Sequence, residues 1–168
     1  MSKRLSPRLQ RTVQVLMCIY GPAVPRSVDA PHNDTPLEQA EAILHELAHQ
    51  TLLPKEYTFT PGKMASAHTI VHGYLHSLPF AEQDEHEIRA MAIELLVTRR
   101  LRMKVKRKEL LKYSQENTEI HQPPLCTPKE YGDLVRKSQS SSKVQFHADT
   151  IMCLIEEERK KLRYGTLH

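Results

Sequence analysis

Four times in 168 residues a Ser or Thr stands directly before a Pro: Ser6-Pro7, Thr35-Pro36, Thr60-Pro61 and Thr127-Pro128. A hydroxyl at the N-cap accepts from the orphan amides of a first helical turn. Pro at the next position brings a φ already suited to the helix and no N–H to leave unpaired. Each pair therefore reads as a helix start. Composition points the same way, because 5% aromatic residues with no Trp, and 39% hydrophobic residues in all, leave a core of Leu, Ile, Val, Met and Ala. Such a core suits helices better than a β-sandwich. The length fits one domain, so the expected fold is mainly α and compact, with at most a small β element.

Apolar spacing and breaker residues predict helices over 7–20, 36–53, 63–78, 81–114, 128–138 and 147–163. Between them fall a Pro-rich linker at 21–34, an extended piece at Glu56-Tyr57-Thr58-Phe59, a polar connection at 115–127 and a Ser-rich linker at 138–142. These group into an N-terminal helix and linker (1–34), a central core (35–114) and a C-terminal helical extension packing on it (115–168). Lys3, Arg4, Arg8 and Arg11 ahead of an apolar stretch weakly resemble a signal peptide. Gln14 interrupts that stretch, however, and Leu9, Val13, Leu16 and Tyr20 have the spacing of an amphipathic helix. No apolar run is long enough to span a membrane. Cys18, Cys126 and Cys153 lack CxxC spacing and are odd in number, so neither a disulfide framework nor a zinc ribbon is indicated and a reducing, cytoplasmic setting fits best.

One stretch specifies a chemistry. His45-Glu46-Leu47-Ala48-His49 is an HExxH pattern, which chance alone would place in roughly one such chain in twenty. Its context adds weight: Thr35, Pro36 and Glu38 open a helix with a capping box, and Leu37, Ala40, Leu44, Leu47, Ala48 and Thr51 follow helical spacing. Residues i and i+4 share a helix face, so His45 and His49 can reach one Zn²⁺ while Glu46 serves as general base in peptide hydrolysis.

A catalytic zinc needs a third protein ligand. Glu87 is one source, since the small and apolar residues after it, with Ala90 and Ala92, would let its helix approach the motif helix closely. His68, His72 and His76, spaced i, i+4, i+8 on one helical face, are another. Asp84 is a third, with Glu85 and His86 beside it. The histidine stripe, with Tyr74, could instead supply an oxyanion donor. The pairing of His-Glu-Leu-Ala-His with the later Glu87, Ala90, Met91-Ala92, Glu94 and Leu95-Leu96 resembles the ImmA/IrrE group of gluzincin metallopeptidases. The match covers about 60 residues and departs in having Met91 for an aromatic residue and no Pro after Val97. It implies a zincin-like domain with His45, His49 and Glu87 as ligands and Glu46 as base. It further implies a cytoplasmic endopeptidase acting on a protein partner, often a transcriptional regulator. An HExxH with a downstream His instead resembles the SprT-like proteases, which attack proteins on DNA, and His68 or His72 would then be the ligand.

Charge is unevenly spread. Residues 31–98 carry 3 basic and 10 acidic groups, which suits a cation site, whereas residues 99–112 carry 8 basic and 1 acidic. The basic run keeps open a nucleic-acid-binding or metal-binding helical protein without catalysis. Its cations would encircle a helix, though, and no aromatic residues interleave for base stacking.

Overall fold

The computed structural model describes residues 5–21, 35–54, 61–104 and 127–163. Within them lie six helices and no strand: α1 (Pro7–Tyr20), α2 (Pro36–Thr51), α3 (Met64–Ser77), α4 (Phe80–Arg100), α5 (Pro128–Gln139) and α6 (Ser142–Arg163). The fold is mainly α. The extended piece expected at 56–59, the linker at 22–34, the basic run beyond 104 and the connection at 115–126 lie outside the described residues. No described helix is long and apolar enough to cross a membrane.

Three of the four Ser/Thr-Pro pairs open helices, with Ser6, Thr35 and Thr127 accepting from the amides of Leu9, Glu38 and Glu130. The fourth does not. Pro61 and Gly62 form a turn, and α3 begins at Met64 behind Lys63, with no side-chain cap. Gly62 has φ +90° and donates its N–H to the Ile19 carbonyl at 2.7 Å. Gly21, at φ +103°, passes so close that a Cβ on it would lie 2.3 Å from the Gly62 carbonyl oxygen. Two glycines thus pin the end of α1 to the start of α3.

The long helix expected at 81–114 ends at Arg100. Arg102 turns left-handed at φ 55°, its amide bonds the Arg99 carbonyl and that of Met103 bonds the Thr98 carbonyl, together a Schellman closure without the usual glycine. Arg8 of α1 donates to the Leu101 carbonyl at 3.0 Å, so a residue 93 positions away satisfies one of the last orphan acceptors. The last helix starts earlier than expected: it begins at Ser142, part of the expected linker, and buries Val144 in its first turn.

The core is built as the composition requires. Leu16 and Ile19 of α1, Ile43, Leu44 and Leu47 of α2, Met91 and Ile93 of α4, and Ile151 and Ile155 of α6 are fully buried, with Tyr131 of α5 among them. The α2–α4 contact is the most extensive, and Ala48, Ala90 and Ala92, all without exposed surface, let the two helices approach closely. Helix α6 packs on α1, α2 and α4. Helix α3 touches α1 and α2 only lightly and buries only Met64 and Val71 among its described side chains.

Candidate metal centre

His45 and His49 stand one turn apart on α2, on the flank that meets α4, and Glu87 comes to them from the second turn of α4. Glu87 Oε1 lies 2.9 Å from His45 Nε2 and Oε2 lies 3.0 Å from His49 Nε2, while the two Nε2 atoms are 2.9 Å apart. Zinc bonds of about 2.0–2.1 Å in a tetrahedron imply ligand-to-ligand edges of about 3.3 Å. The two nitrogens and the carboxylate, which meets each ring with a different oxygen, thus converge on one point, with one ligand atom from each residue within 4.8 Å of the others. Nitrogen, nitrogen and carboxylate oxygen are also the donor types zinc favours.

The groups behind the donors set their protonation. Glu94, 2% exposed and two turns beyond Glu87 on the same face of α4, accepts from His45 Nδ1 at 2.8 Å. With its proton fixed on Nδ1, His45 turns Nε2 toward Glu87. His86 lies behind His49, their Nδ1 atoms 3.0 Å apart and their rings stacked with an interplanar angle of 3°. Burial, reinforced by the charge of His49, pushes His86 down to about 3, so it is a neutral ring, and one hydrogen is shared between its Nδ1 and that of His49. Burial alone would lower the His45 pKa, but the carboxylates of Glu87 and Glu94 outweigh it and hold the ring well above the ordinary value. Burial alone would raise Glu87, and the charges of His45 and His49 hold it well below. In the metal-free chain a proton on His45 Nε2 bridges to Glu87, and a divalent ion would displace that proton.

Glu46 is held by a different helix. One residue on from His45, its carboxylate meets α3, where His68 Nδ1 donates to Oε2 at 3.1 Å and His72 Nε2 to Oε1 at 3.2 Å. Burial would raise the Glu46 pKa, but these two bonds, with the charges of His49 and His72, keep it far below the carboxylate range. His68 is raised in turn, mainly by its bond to Glu46. Tyr20, buried at the end of α1, is pushed up to about 12 by burial and by the charge of Glu46.

The structure thus separates the sequence-derived candidates into two groups of potential ligands: His45, His49 and Glu87, and Glu46, His68 and His72. The alternative in which His68 or His72 joins the HExxH histidines finds no support, since both are engaged with Glu46. His76 belongs to neither group; its ring lies 6.3 Å from that of His72. Asp84 is buried outside both groups, and Glu85 pairs with Arg89. Sequence reasoning did not single out Glu94 as a site residue. Its signal is the seven-residue step from Glu87, two helical turns, in an otherwise apolar run. Gln50, one turn beyond Glu46, has a buried side-chain amide with no hydrogen-bond partner among the described residues.

No protein-family model matches the chain, and neither does any curated protein or solved structure. The chemistry is therefore read from the geometry of these side chains.

Proposed function

We propose that the chain is a zinc metallopeptidase of gluzincin type that hydrolyses peptide bonds of a protein partner. The observation that carries this reading is the convergence of His45 Nε2, His49 Nε2 and the Glu87 carboxylate at 2.9–3.0 Å, with Glu94 behind His45. His45, His49 and Glu87 would hold the zinc, which when bound polarises a scissile carbonyl and makes water a competent nucleophile near neutral pH.

Glu46 takes a proton from the attacking water and returns it to the leaving amine. A carboxylate has about four acceptor positions, and His68 and His72 use two, so Glu46 can accept a third bond without releasing either. These histidines act as positioning residues that fix the carboxylate and keep it ionised. Glu94 and His86 orient the ligand rings. The resemblance to the ImmA/IrrE group extends the reading to a cytoplasmic enzyme whose substrate is a transcriptional regulator.

A second reading, a metal-binding helical protein without hydrolysis, draws on the engagement of both Glu46 oxygens by histidines. A DNA-associated role through residues 99–112 has less support, because Arg100 is already paired with Asp149 of α6. Glu46→Gln discriminates the first two. It should keep stoichiometric zinc and lower cleavage of a protein substrate by about 10²–10⁴-fold, the contribution of a general base. Full turnover by Glu46→Gln would refute the mechanism, and zinc without cleavage in the unsubstituted chain would favour the second reading.

A further inference from the structure

We infer that Glu46, His68 and His72 form a second divalent-cation site, open to solvent, whose occupancy by Zn²⁺ withdraws the general base. The group repeats the donor set of the first centre: two imidazole nitrogens four residues apart on one helix, and one carboxylate from the helix facing it. One donor atom from each lies within 4.8 Å of the others, and each imidazole stands against its own carboxylate oxygen, His68 Nδ1 at 3.1 Å from Oε2 and His72 Nε2 at 3.2 Å from Oε1, so an ion between the rings could take either oxygen. The His68 and His72 rings sit 4.1 Å apart, so one carboxylate already gathers both.

Accessibility separates the two sites. The first has side-chain exposures of 18, 7 and 15% for His45, His49 and Glu87, whereas at the second the imidazoles of His68 and His72 are 38 and 40% exposed above a Glu46 carboxylate that is 10% exposed. Three protein ligands at an open edge leave room for water and let an ion come and go. The second site therefore fills after the first, as free zinc rises. Glu46 is the ligand that an ion there must share, and once coordinated it no longer accepts a proton. Whether this cation binds does not depend on hydrolysis. Its effect on rate rests on the peptidase reading.

The test is zinc stoichiometry of the full chain, by equilibrium dialysis against buffered Zn²⁺ with metal analysis. Two ions are expected per chain, falling to one in His68→Gln/His72→Gln and to one in His45→Gln/His49→Gln. The first double variant replaces half-buried side chains on the lightly packed α3, so it remains informative should the second fail to fold. Saturation of the unsubstituted chain at one ion, or retention of two ions by His68→Gln/His72→Gln, would overturn the proposal. In a cleavage assay, zinc beyond the first equivalent should cut the rate by about 10²-fold or more, the value of a general base. A rate unchanged with both sites filled would overturn the withdrawal of Glu46. If no cleavage occurs but the stoichiometry falls from two to one as stated, the second site stands and only the peptidase reading fails.

Discussion

Glu94 offers the most direct test of the first centre, because it is bonded to His45 and is not itself one of the three converging donors. Its carboxylate, 2% exposed, accepts from His45 Nδ1 at 2.8 Å. A charge-assisted bond of this kind is worth about 1.5–3 kcal/mol and a neutral one about 0.5–1.5 kcal/mol. Glu94→Gln keeps an acceptor of the same shape and loses the charge, a difference of about 1–1.5 kcal/mol or roughly tenfold in zinc affinity. Glu94→Leu removes the acceptor and leaves a buried N–H unpaired, so its loss should approach 100-fold, the upper range for groups that orient metal ligands. Competition with a chromophoric chelator measures both. Glu85→Gln serves as control, since Glu85 is exposed and pairs with Arg89 on its own helix. The order should be Leu below Gln below the unsubstituted chain, with circular dichroism unchanged. Affinities within twofold of one another across the series would refute the claim that Glu94 orients His45 for metal.

Gln50→Met should stabilise the chain by about 1–3 kcal/mol, since it removes a buried amide that makes no hydrogen bond among the described residues; urea unfolding checks this, and a loss of stability would reveal a partner for the amide. Gly21→Ala should destabilise by more than the roughly 1–2 kcal/mol of a left-handed residue, because its Cβ would also meet the Gly62 carbonyl; an unchanged melting temperature would count against that contact. In the metal-free chain the raised His45 contributes stability that is complete below the ordinary imidazole value of 6.5 and is lost as pH rises through its folded value. The depressed Glu46 and Glu87 contribute stability present above the ordinary carboxylate value of 4.5 and lost as pH falls through their folded values. Buried His86, held down to about 3, stays neutral while the unfolded ring charges, so stability also falls as pH drops below 6.5. Thermal melts in chelator should therefore peak near pH 6.5, and the shift produced by added zinc should grow from about pH 5.5 to 8 as the His45 proton becomes easier to displace. A zinc shift larger at pH 5.5 than at pH 8 would contradict that competition.

Helix starts were legible where they depend on two adjacent residues, as at Ser6-Pro7, Thr35-Pro36 and Thr127-Pro128. Thr60-Pro61 has the same letters and does not open α3, because Gly62 takes a left-handed turn whose amide bonds α1. The end of α4 was illegible for a related reason. Residues 101–104, Leu-Arg-Met-Lys, are good helix formers, and the closure at Arg102 is accompanied by Arg8, 93 positions from Leu101. At the site, helical spacing alone put His45 with His49 and His68 with His72. Which carboxylate each pair meets depends on how α2 crosses α4 and α3, a tertiary fact. Glu87 was reached through small residues that favour close helix packing, while Glu94 needed the crossing itself.

The two histidine pairs are held to their carboxylates by different means. Glu87 and Glu94 ride on α4, locked to α2 by the main core, whereas α3 has little buried surface and is tied to α1 at the Gly21–Gly62 crossing. In native-state hydrogen exchange, the amides of α3 should therefore open at a lower free energy than those of α2 and α4, as a separate unit. The His45–His49–Glu87 centre would then persist until the whole chain unfolds. The wall that carries His68 and His72 would come and go on the folded protein, exposing and covering Glu46 as it does.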